Sequence, residues 1–193
     1  MSIINTKKAL KDWMDYELEF YKTGGIIRKL FPISEKDILR KHQILLRKTE
    51  YYNNTRKKLR KTIYKIRLIR LQNKYSLHIP LNVCEKGLRI VHLGPIIVNE
   101  HAHIGEDCAF HINTAVVAGG TTSMAPNIGN GVVLGIGAVV LGDISIADHV
   151  AIGANAVVNK SIIENNITVG GVPAKKISNN GRLSWGNNDL DKK

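Results

Sequence analysis

Apolar residues in the first third of the chain recur at spacings of three and four positions, which is the pattern of amphipathic helices. Gly24-Gly25 and Pro32 interrupt this pattern, and Ser34 followed by acidic residues is typical of a helix start. The pattern predicts three helices, near residues 5–22, 35–50 and 52–74. The last of them is strongly cationic and carries between its charges an apolar side made of Leu59, Ile63, Ile66 and Leu68.

From about residue 79 an aliphatic or aromatic residue returns at every sixth position. The ten residues in this register are Val98, Ile104, Phe110, Val116, Ile128, Leu134, Val140, Ile146, Ile152 and Val158. Between the first and the last of them, Thr122 alone breaks the register. A period of six fits neither a helix nor an alternating strand, and it is typical of a parallel β-helix built from hexapeptides. We therefore predict a mainly β fold, a triangular coil whose repeated aliphatic side chains point inward, rather than a β-sandwich with irregular spacings.

Charge divides the chain at about the same place as the hydrophobic pattern. Residues 1–80 contain 20 Lys and Arg against 7 Asp and Glu, whereas residues 81–193 contain 8 against 9. The net charge of +12 therefore belongs to the first part of the chain. Together the two patterns predict a basic α-helical domain over residues 1–76, a β-helix over 77–178 and a flexible tail over 179–193.

Several classes of protein are excluded by what the sequence lacks. The chain has no run of 18 apolar residues and no apolar segment after its basic start, so neither a membrane-spanning helix nor a signal peptide is expected. Cys84 and Cys108 form neither a disulfide framework nor a zinc motif, and no metal site is expected. These features favour a cytoplasmic protein, which could lie at the inner face of the membrane.

Three further segments are distinctive: Gly87-Leu88-Arg89-Ile90-Val91-His92, the turn Gly119-Gly120-Thr121, and Gly171-Val172-Pro173-Ala174-Lys175. With the repeats, they resemble bacterial serine O-acetyltransferases, most closely the shorter relatives of capsule and exopolysaccharide biosynthesis. The resemblance covers about residues 75–178. It implies a left-handed β-helix, an acetyl-CoA-dependent O-acetyltransferase, and a homotrimer with active sites in the clefts between neighbouring subunits.

His92 falls on the catalytic position of that family, which implies that it is the general base. An imidazole suits this task because its pKa lies near neutrality. His92 also stands six residues before Val98, in the aliphatic register, which we interpret as a second sign that it is not there for packing. His111 is predicted to support it from the same cleft. His101 and His103 flank a turn and are expected to be solvated.

The sequence departs from the serine enzymes at three places. Leu77 and Val91 stand where that family has carboxylates, and Ala125 stands where it has a second histidine. The group that orients the imidazole of His92 is therefore not identified by the sequence. Since acidic residues that would meet an ammonium group are lost, a sugar hydroxyl is favoured over serine as the acceptor.

The resemblance carries the CoA site over to six positions, which are Gly120, Thr121, Ile136, Ala154, Lys175 and Lys176. Ile136 and Ala154 are 18 residues apart, which is one full three-sided coil, so they are expected to stack along one edge. Such an edge suits the pantetheine arm, and the two lysines suit the CoA phosphates. The alternatives are a simple turn glycine at Gly120 and solvated lysines near the end of the chain.

Four hypotheses follow for the function. The leading one is an O-acetyltransferase that acts on a sugar or on a capsule or surface polysaccharide precursor. The others are a serine O-acetyltransferase of cysteine biosynthesis, a non-catalytic β-helix scaffold, and a membrane-surface module. The basic helices could make peripheral contact with an anionic membrane, attract an acidic glycan, or form a solvated cap. Nucleic acid is not expected, because no recognition motif accompanies the charge.

Overall fold

A computed structural model describes residues 2–22, 34–120 and 123–184 of the protein. Within these residues three α-helices precede the strands, α1 (Lys7–Leu18), α2 (Glu35–Asn54) and α3 (Lys58–Tyr75), and a 3-10 helix, Glu19–Tyr21, follows α1. The side chain of Ser34 accepts a hydrogen bond from the backbone N–H of Asp37, and the carboxylate of Asp37 accepts one from the backbone N–H of Ser34, so α2 begins with a capping box. The helices lie where the hydrophobic pattern predicted them. The interruptions at Gly24-Gly25 and Pro32 lie outside the described residues.

Short strands follow the helices and form three sheets, which are the three sides of a triangular coil. The strands are β1 (Leu77–His78), β2 (Arg89–Ile90), β3 (Ile96–Val98), β4 (His103–Ile104), β5 (Ala109–Phe110), β6 (Thr114–Val117), β7 (Asn127–Ile128), β8 (Val133–Leu134), β9 (Val139–Leu141), β10 (Ser145–Ile146), β11 (Ala151–Ile152), β12 (Val157–Val158), β13 (Thr168–Gly170) and β14 (Lys175–Ser178). Sheet 1 has the order β1-β3-β6-β9-β12, sheet 2 the order β4-β7-β10, and sheet 3 the order β2-β5-β8-β11-β13-β14. All pairs are parallel except β13 with β14.

The six-residue register is confirmed residue by residue. All ten of its members are buried, each with 3% or less of its surface exposed. They also stack on one another from coil to coil, as Val116 does on Val140 and Leu134 on Ile152. The repeated aliphatic side chain is thus the inward position of a parallel β-helix.

The register breaks between β6 and β7. Ile128 pairs with Ile146, 18 positions later, whereas Ile104 pairs with Ile128, 24 positions later. The coil that separates Ile104 from Ile128 therefore contains six additional residues, between β6 and β7. Thr122 itself lies outside the described residues.

The helices and the β-helix share one hydrophobic core, to which Leu46 of α2 and Leu68 of α3 contribute together with the first coils. A buried cluster of charges joins the same parts. Arg47 of α2 pairs with Glu17 of α1 at 2.7 Å and with Glu50 at 2.9 Å. Arg47 also donates hydrogen bonds to the backbone carbonyl oxygens of the strand-connecting segment at 84 and 85. The helical segment is therefore packed on the β-helix rather than tethered to it.

The segment from residue 179 was predicted to be a flexible tail, but residues 179–184 pack against the β-helix. Arg182 is buried and donates a hydrogen bond to the carbonyl of Asp107, and the backbone N–H of Leu183 donates to Asn166. A short 3-10 helix, Arg182–Ser184, results from these contacts. The rest of the predicted tail lies outside the described residues.

Candidate functional site

His92 lies in the turn after β2, where the repeat is interrupted. Ile90 takes the inward position and pairs with Phe110, and the next inward residue, Val98, comes eight positions later rather than six. The two additional residues lift His92 out of the stack, and 54% of its side chain is exposed. Our interpretation of His92 as a member of the inward register was therefore wrong. Its imidazole projects from the first coil.

A carboxylate from the helical segment meets this imidazole. The Oε1 atom of Glu35, in the first turn of α2, lies 3.5 Å from Nδ1 of His92. Glu35 also accepts a hydrogen bond from the backbone N–H of Leu93, so it contacts two consecutive residues of the same turn. A carboxylate beside Nδ1 favours the tautomer that carries its proton there. Nε2 then remains available to accept a proton.

His111, at the end of β5, lies beside His92 as predicted. The centroids of the two imidazole rings are 6.2 Å apart, with 50° between the ring planes. Nδ1 of His111 is buried and makes no hydrogen bond within the described residues. Burial, followed by the nearness of His92 and Arg89, lowers the pKa of His111. His111 is therefore neutral at neutral pH.

A cavity of about 410 Å³ opens beside His92, between the helices and the first coil. Its lining includes charges of both signs, which are Glu19, Lys22, Glu35, Lys36 and Arg89. Most of these residues belong to the helical segment. They lie outside the β-helix positions at which the sequence was compared with the serine enzymes. Leu77, which stands where the serine enzymes have a carboxylate, is buried in sheet 1 with 2% of its surface exposed. It supplies no charge to the site. The site therefore has acidic groups, but they come from elsewhere in the chain.

The turns after β2, β5, β8 and β11 stack along one edge of the coil. The backbone N–H of Asn155 donates to the carbonyl of Ile136 at 2.8 Å, so Ile136 and the neighbouring Ala154 lie one above the other as their spacing predicted. Both are exposed. From His92 to Ala154 the edge spans three coil spacings, roughly 14 Å at the usual distance between strands. The edge offers a straight surface that begins at the histidine.

The remaining predicted CoA residues lie elsewhere. Gly120 is exposed in the turn after β6, on the far side of sheet 1 from His92, and has a φ of 82°. Thr121 lies outside the described residues. Lys175 and Lys176 are exposed on β14, which pairs with β13 at the end of the coil. A single chain thus brings His92, Ile136 and Ala154 to one edge but does not bring Gly120 to it.

His101 and His103, which were both expected to be solvated, lie in different surroundings. His101 is exposed, as expected. His103 is not simply solvated, because its ring nitrogens lie 2.8 Å from Oδ1 of Asn127 and 3.1 Å from Oε1 of Glu85. His103 therefore contacts both the coil before its own, through Glu85, and the coil after it, through Asn127. Within residues 2–22, 34–120 and 123–184, no group of three or more His, Cys, Asp or Glu could hold a metal ion, and no helix is long and apolar enough to cross a membrane.

Comparison with known proteins supports the repeat and the fold. Residues 125–160 match the model of the family Bacterial transferase hexapeptide (six repeats). The chain is 35% identical over 100 residues to a serine acetyltransferase of Synechococcus elongatus, over 50% of this chain and 40% of that protein. It is 39% identical over 89 residues to one of Helicobacter pylori, over 44% and 51%. A putative colanic acid biosynthesis acetyltransferase, WcaB of Escherichia coli, is 35% identical over 76 residues, over 39% and 47%. The chain thus spans about half the length of these relatives.

Solved structures extend the similarity to the helices. Serine acetyltransferase from Brucella abortus superimposes with a TM-score of 0.68 at 20% identity, over 91% of this chain and 72% of that one. That of Neisseria gonorrhoeae does so with a TM-score of 0.67 at 22% identity, over 97% and 73%. The predicted fold, a left-handed parallel β-helix preceded by helices, is confirmed. Residues 125–160 thus carry the hexapeptide repeat of bacterial transferases, within a chain whose fold is that of the solved serine acetyltransferases.

Proposed function

We propose that the protein is an acetyl-CoA-dependent O-acetyltransferase with His92 as its general base. The observation that carries this proposal is the position of His92 at the start of a straight exposed edge, with Oε1 of Glu35 3.5 Å from its Nδ1 and the ring centroid of His111 6.2 Å from its own. The names of the relatives support it, and one of the similar structures is a serine acetyltransferase in complex with coenzyme A.

The chemistry begins with the acceptor hydroxyl. Nε2 of His92 takes its proton while the oxygen attacks the thioester carbonyl of acetyl-CoA. The new C–O bond forms, the tetrahedral intermediate collapses, and the C–S bond breaks. The departing CoA thiolate receives the proton back from the imidazolium, so the base is restored. General-base assistance of this kind is worth about 10²–10⁴-fold in rate.

Glu35 and His111 have different parts in this step. Glu35 faces Nδ1 of His92 and therefore stabilises the imidazolium that forms when Nε2 takes the proton. The ring centroid of His111 lies 6.2 Å from that of His92, and burial lowers the pKa of His111, which keeps it neutral at neutral pH. A neutral His111 does not oppose the positive charge that His92 gains during the reaction.

The edge from His92 to Ala154 is the proposed site of the pantetheine arm, with Lys175 and Lys176 near the phosphates. Gly120 belongs to a different edge of the same chain, so it would serve the edge of a neighbouring copy. This separation supports the homotrimer implied by the family resemblance, in which each cleft takes residues from two subunits. We therefore propose a homotrimer as well.

The acceptor proposed first is a small hydroxy amino acid such as serine. A zwitterion needs a carboxylate for its ammonium group and a cation for its carboxylate, and the cavity beside His92 has both. This observation removes the reason for preferring a sugar, which was the loss of acidic residues at Leu77 and Val91. The relatives named serine acetyltransferase match longer stretches of the chain than WcaB does. A glycan hydroxyl is the second candidate, on the strength of that shorter match.

The test is thiol release from acetyl-CoA in the presence of serine, sugars, nucleotide sugars or capsule oligosaccharides. We expect serine-dependent release by the wild type and a loss of at least about 10²-fold in His92→Ala. His101→Ala, which alters an exposed histidine away from the cavity, is the matched control. Release with sugars alone would transfer the proposal to the glycan acceptor. If the protein does not bind acetyl-CoA, the enzyme hypothesis fails and the non-catalytic β-helix scaffold takes its place.

A further inference from the structure

Helix α3 has two apolar faces, of which one is covered. Leu68 and Leu71 are buried against the shared core. The other face carries Leu59, Ile63, Ile66 and Ile69, whose exposed fractions are 76%, 47%, 46% and 41%. The sequence pattern placed Leu68 on the same side as three of these residues, but the structure separates them. We call the four exposed residues the outer stripe of α3.

Cations border the outer stripe along the helix. At 100° per residue, Lys58 and Lys65 lie on one side of it and Arg60, Arg67 and Lys74 on the other. All five are exposed. The guanidinium groups of Arg60 and Arg67 each lie 5.8 Å from the centre of a tyrosine ring, which restricts where they point. Over residues 51–84 the chain contains nine Lys and Arg and no Asp or Glu.

A groove between α2 and α3 continues this surface. It encloses about 400 Å³ and has an apolar lining of Ile38, Leu45, Leu71 and Tyr75. Four cations also line it, which are Lys41, Arg67, Arg70 and Lys74. Arg67 and Lys74 therefore belong both to the groove and to the border of the outer stripe. Apolar surface surrounded by cations is suited to an amphiphile with a negatively charged head.

We propose that the outer stripe of α3 and the adjoining groove bind the surface of an anionic lipid bilayer. The aliphatic side chains enter the interface, and the cations contact lipid phosphates. Charge complementarity selects this occupant. The same face of a second copy would carry the same cations, so the two faces would repel each other. Residues 81–193 are nearly neutral and offer these cations little opposite charge. A nucleic acid backbone would match the cations but would leave four aliphatic side chains in water.

The experiment is flotation of the full chain with vesicles of phosphatidylcholine, with or without phosphatidylglycerol. We expect binding to the vesicles that contain phosphatidylglycerol and none to phosphatidylcholine alone. Since a basic residue near such a surface contributes roughly fivefold, Arg67→Gln with Arg70→Gln should weaken binding about 30-fold. Lys8→Gln with Lys160→Gln, two exposed lysines outside α3, removes the same charge and should weaken it much less.

The apolar part is tested by Ile63→Asn with Ile66→Asn, which should remove the fraction of binding that resists added salt. Circular dichroism checks that each variant is folded, and acetyl transfer without vesicles should be unchanged in all of them. Equal losses in the two charge variants would overturn the proposal, as would absence of vesicle binding by the wild type. Binding of duplex DNA or RNA without vesicles, or a changed oligomeric state of the isoleucine variant, would assign the surface to another partner.

Discussion

Oε1 of Glu35 lies 3.5 Å from Nδ1 of His92, although one residue belongs to a helix and the other to the β-helix. The carboxylate that the β-helix lacks at Leu77 is thus replaced by one from α2. The helical segment is therefore part of the candidate active site and does more than cover the end of the coil.

We expect Glu35→Gln to lower kcat on the order of 10- to 10²-fold, because the amide no longer stabilises an imidazolium or fixes its tautomer. The KM for acetyl-CoA should not change, since Glu35 contacts the turn after β2, whereas the pantetheine arm is proposed to lie along the turns of Ile136 and Ala154. Steady-state kinetics at saturating acetyl-CoA measure both quantities. Lys41→Gln, at an exposed position of the same helix outside the cavity, is the control. A raised KM for serine with unchanged kcat would make Glu35 a group that binds the acceptor instead.

His42 of α2 is expected to make the protein sensitive to acid. Burial, followed by the charge of Arg47, lowers the pKa of His42 to about 3. The unfolded chain takes up this proton below about pH 6.5 and the folded one does not, so stability is lost as the pH falls. Between pH 7 and pH 5 the loss in free energy of unfolding is on the order of 2 kcal/mol.

Urea unfolding at the two pH values measures this loss. His42→Gln retains a polar group toward Gln72, which lies 3.3 Å from His42, but it cannot titrate. The difference between pH 7 and pH 5 should be smaller in the variant by the amount given above. Comparison with the variant is necessary because burial raises the pKa of Glu50, which acts in the opposite direction. An identical pH dependence in both proteins would show that His42 is not the cause.

Arg47→Met should destabilise the protein by about 3–5 kcal/mol, because it leaves Glu17 and Glu50 buried without their cation. The carbonyl groups of residues 84 and 85 lose donors in the same variant. Lys41→Met, at an exposed position of the same helix, should change stability little. Thermal unfolding monitored by circular dichroism distinguishes the two. Similar melting temperatures for both variants would contradict the structural role of the cluster.

Gly135→Ala tests the straight edge. A β-carbon at Gly135 would lie 2.8 Å from the carbonyl oxygen of Ile152 and 2.9 Å from the backbone nitrogen of Ala154, so two coils must move apart. We expect a loss of about 1–3 kcal/mol in stability and a raised KM for acetyl-CoA. Gly170→Ala meets only the exposed end of Ile177, at 3.2 Å, and should be tolerated. An unchanged KM in a folded Gly135→Ala protein would place the CoA arm elsewhere.

The fold was predictable because its main signal is periodic. Each inward residue, such as Leu134 or Val140, repeats the same burial in every coil, and ten repetitions are visible in one sequence. The candidate site was only partly predictable because it lies where the period fails. The turn of His92 has two additional residues, so counting by six placed the imidazole inside the coil. Glu35 was recognised as a residue at the start of a helix, and no local pattern indicates which distant turn that helix meets.

The repeat also has a consequence for the length of ligand that the protein can hold. The turns after β5, β8 and β11 keep the spacing of six between inward residues, and only the turn after β2 exceeds it along this edge. One 18-residue coil inserted after Val140 would therefore lengthen the edge by about 4.8 Å and leave the surroundings of His92 intact. The distance from His92 to Lys175 is set in whole coils. An acyl donor with a longer or shorter arm could be accommodated by duplicating or deleting one coil.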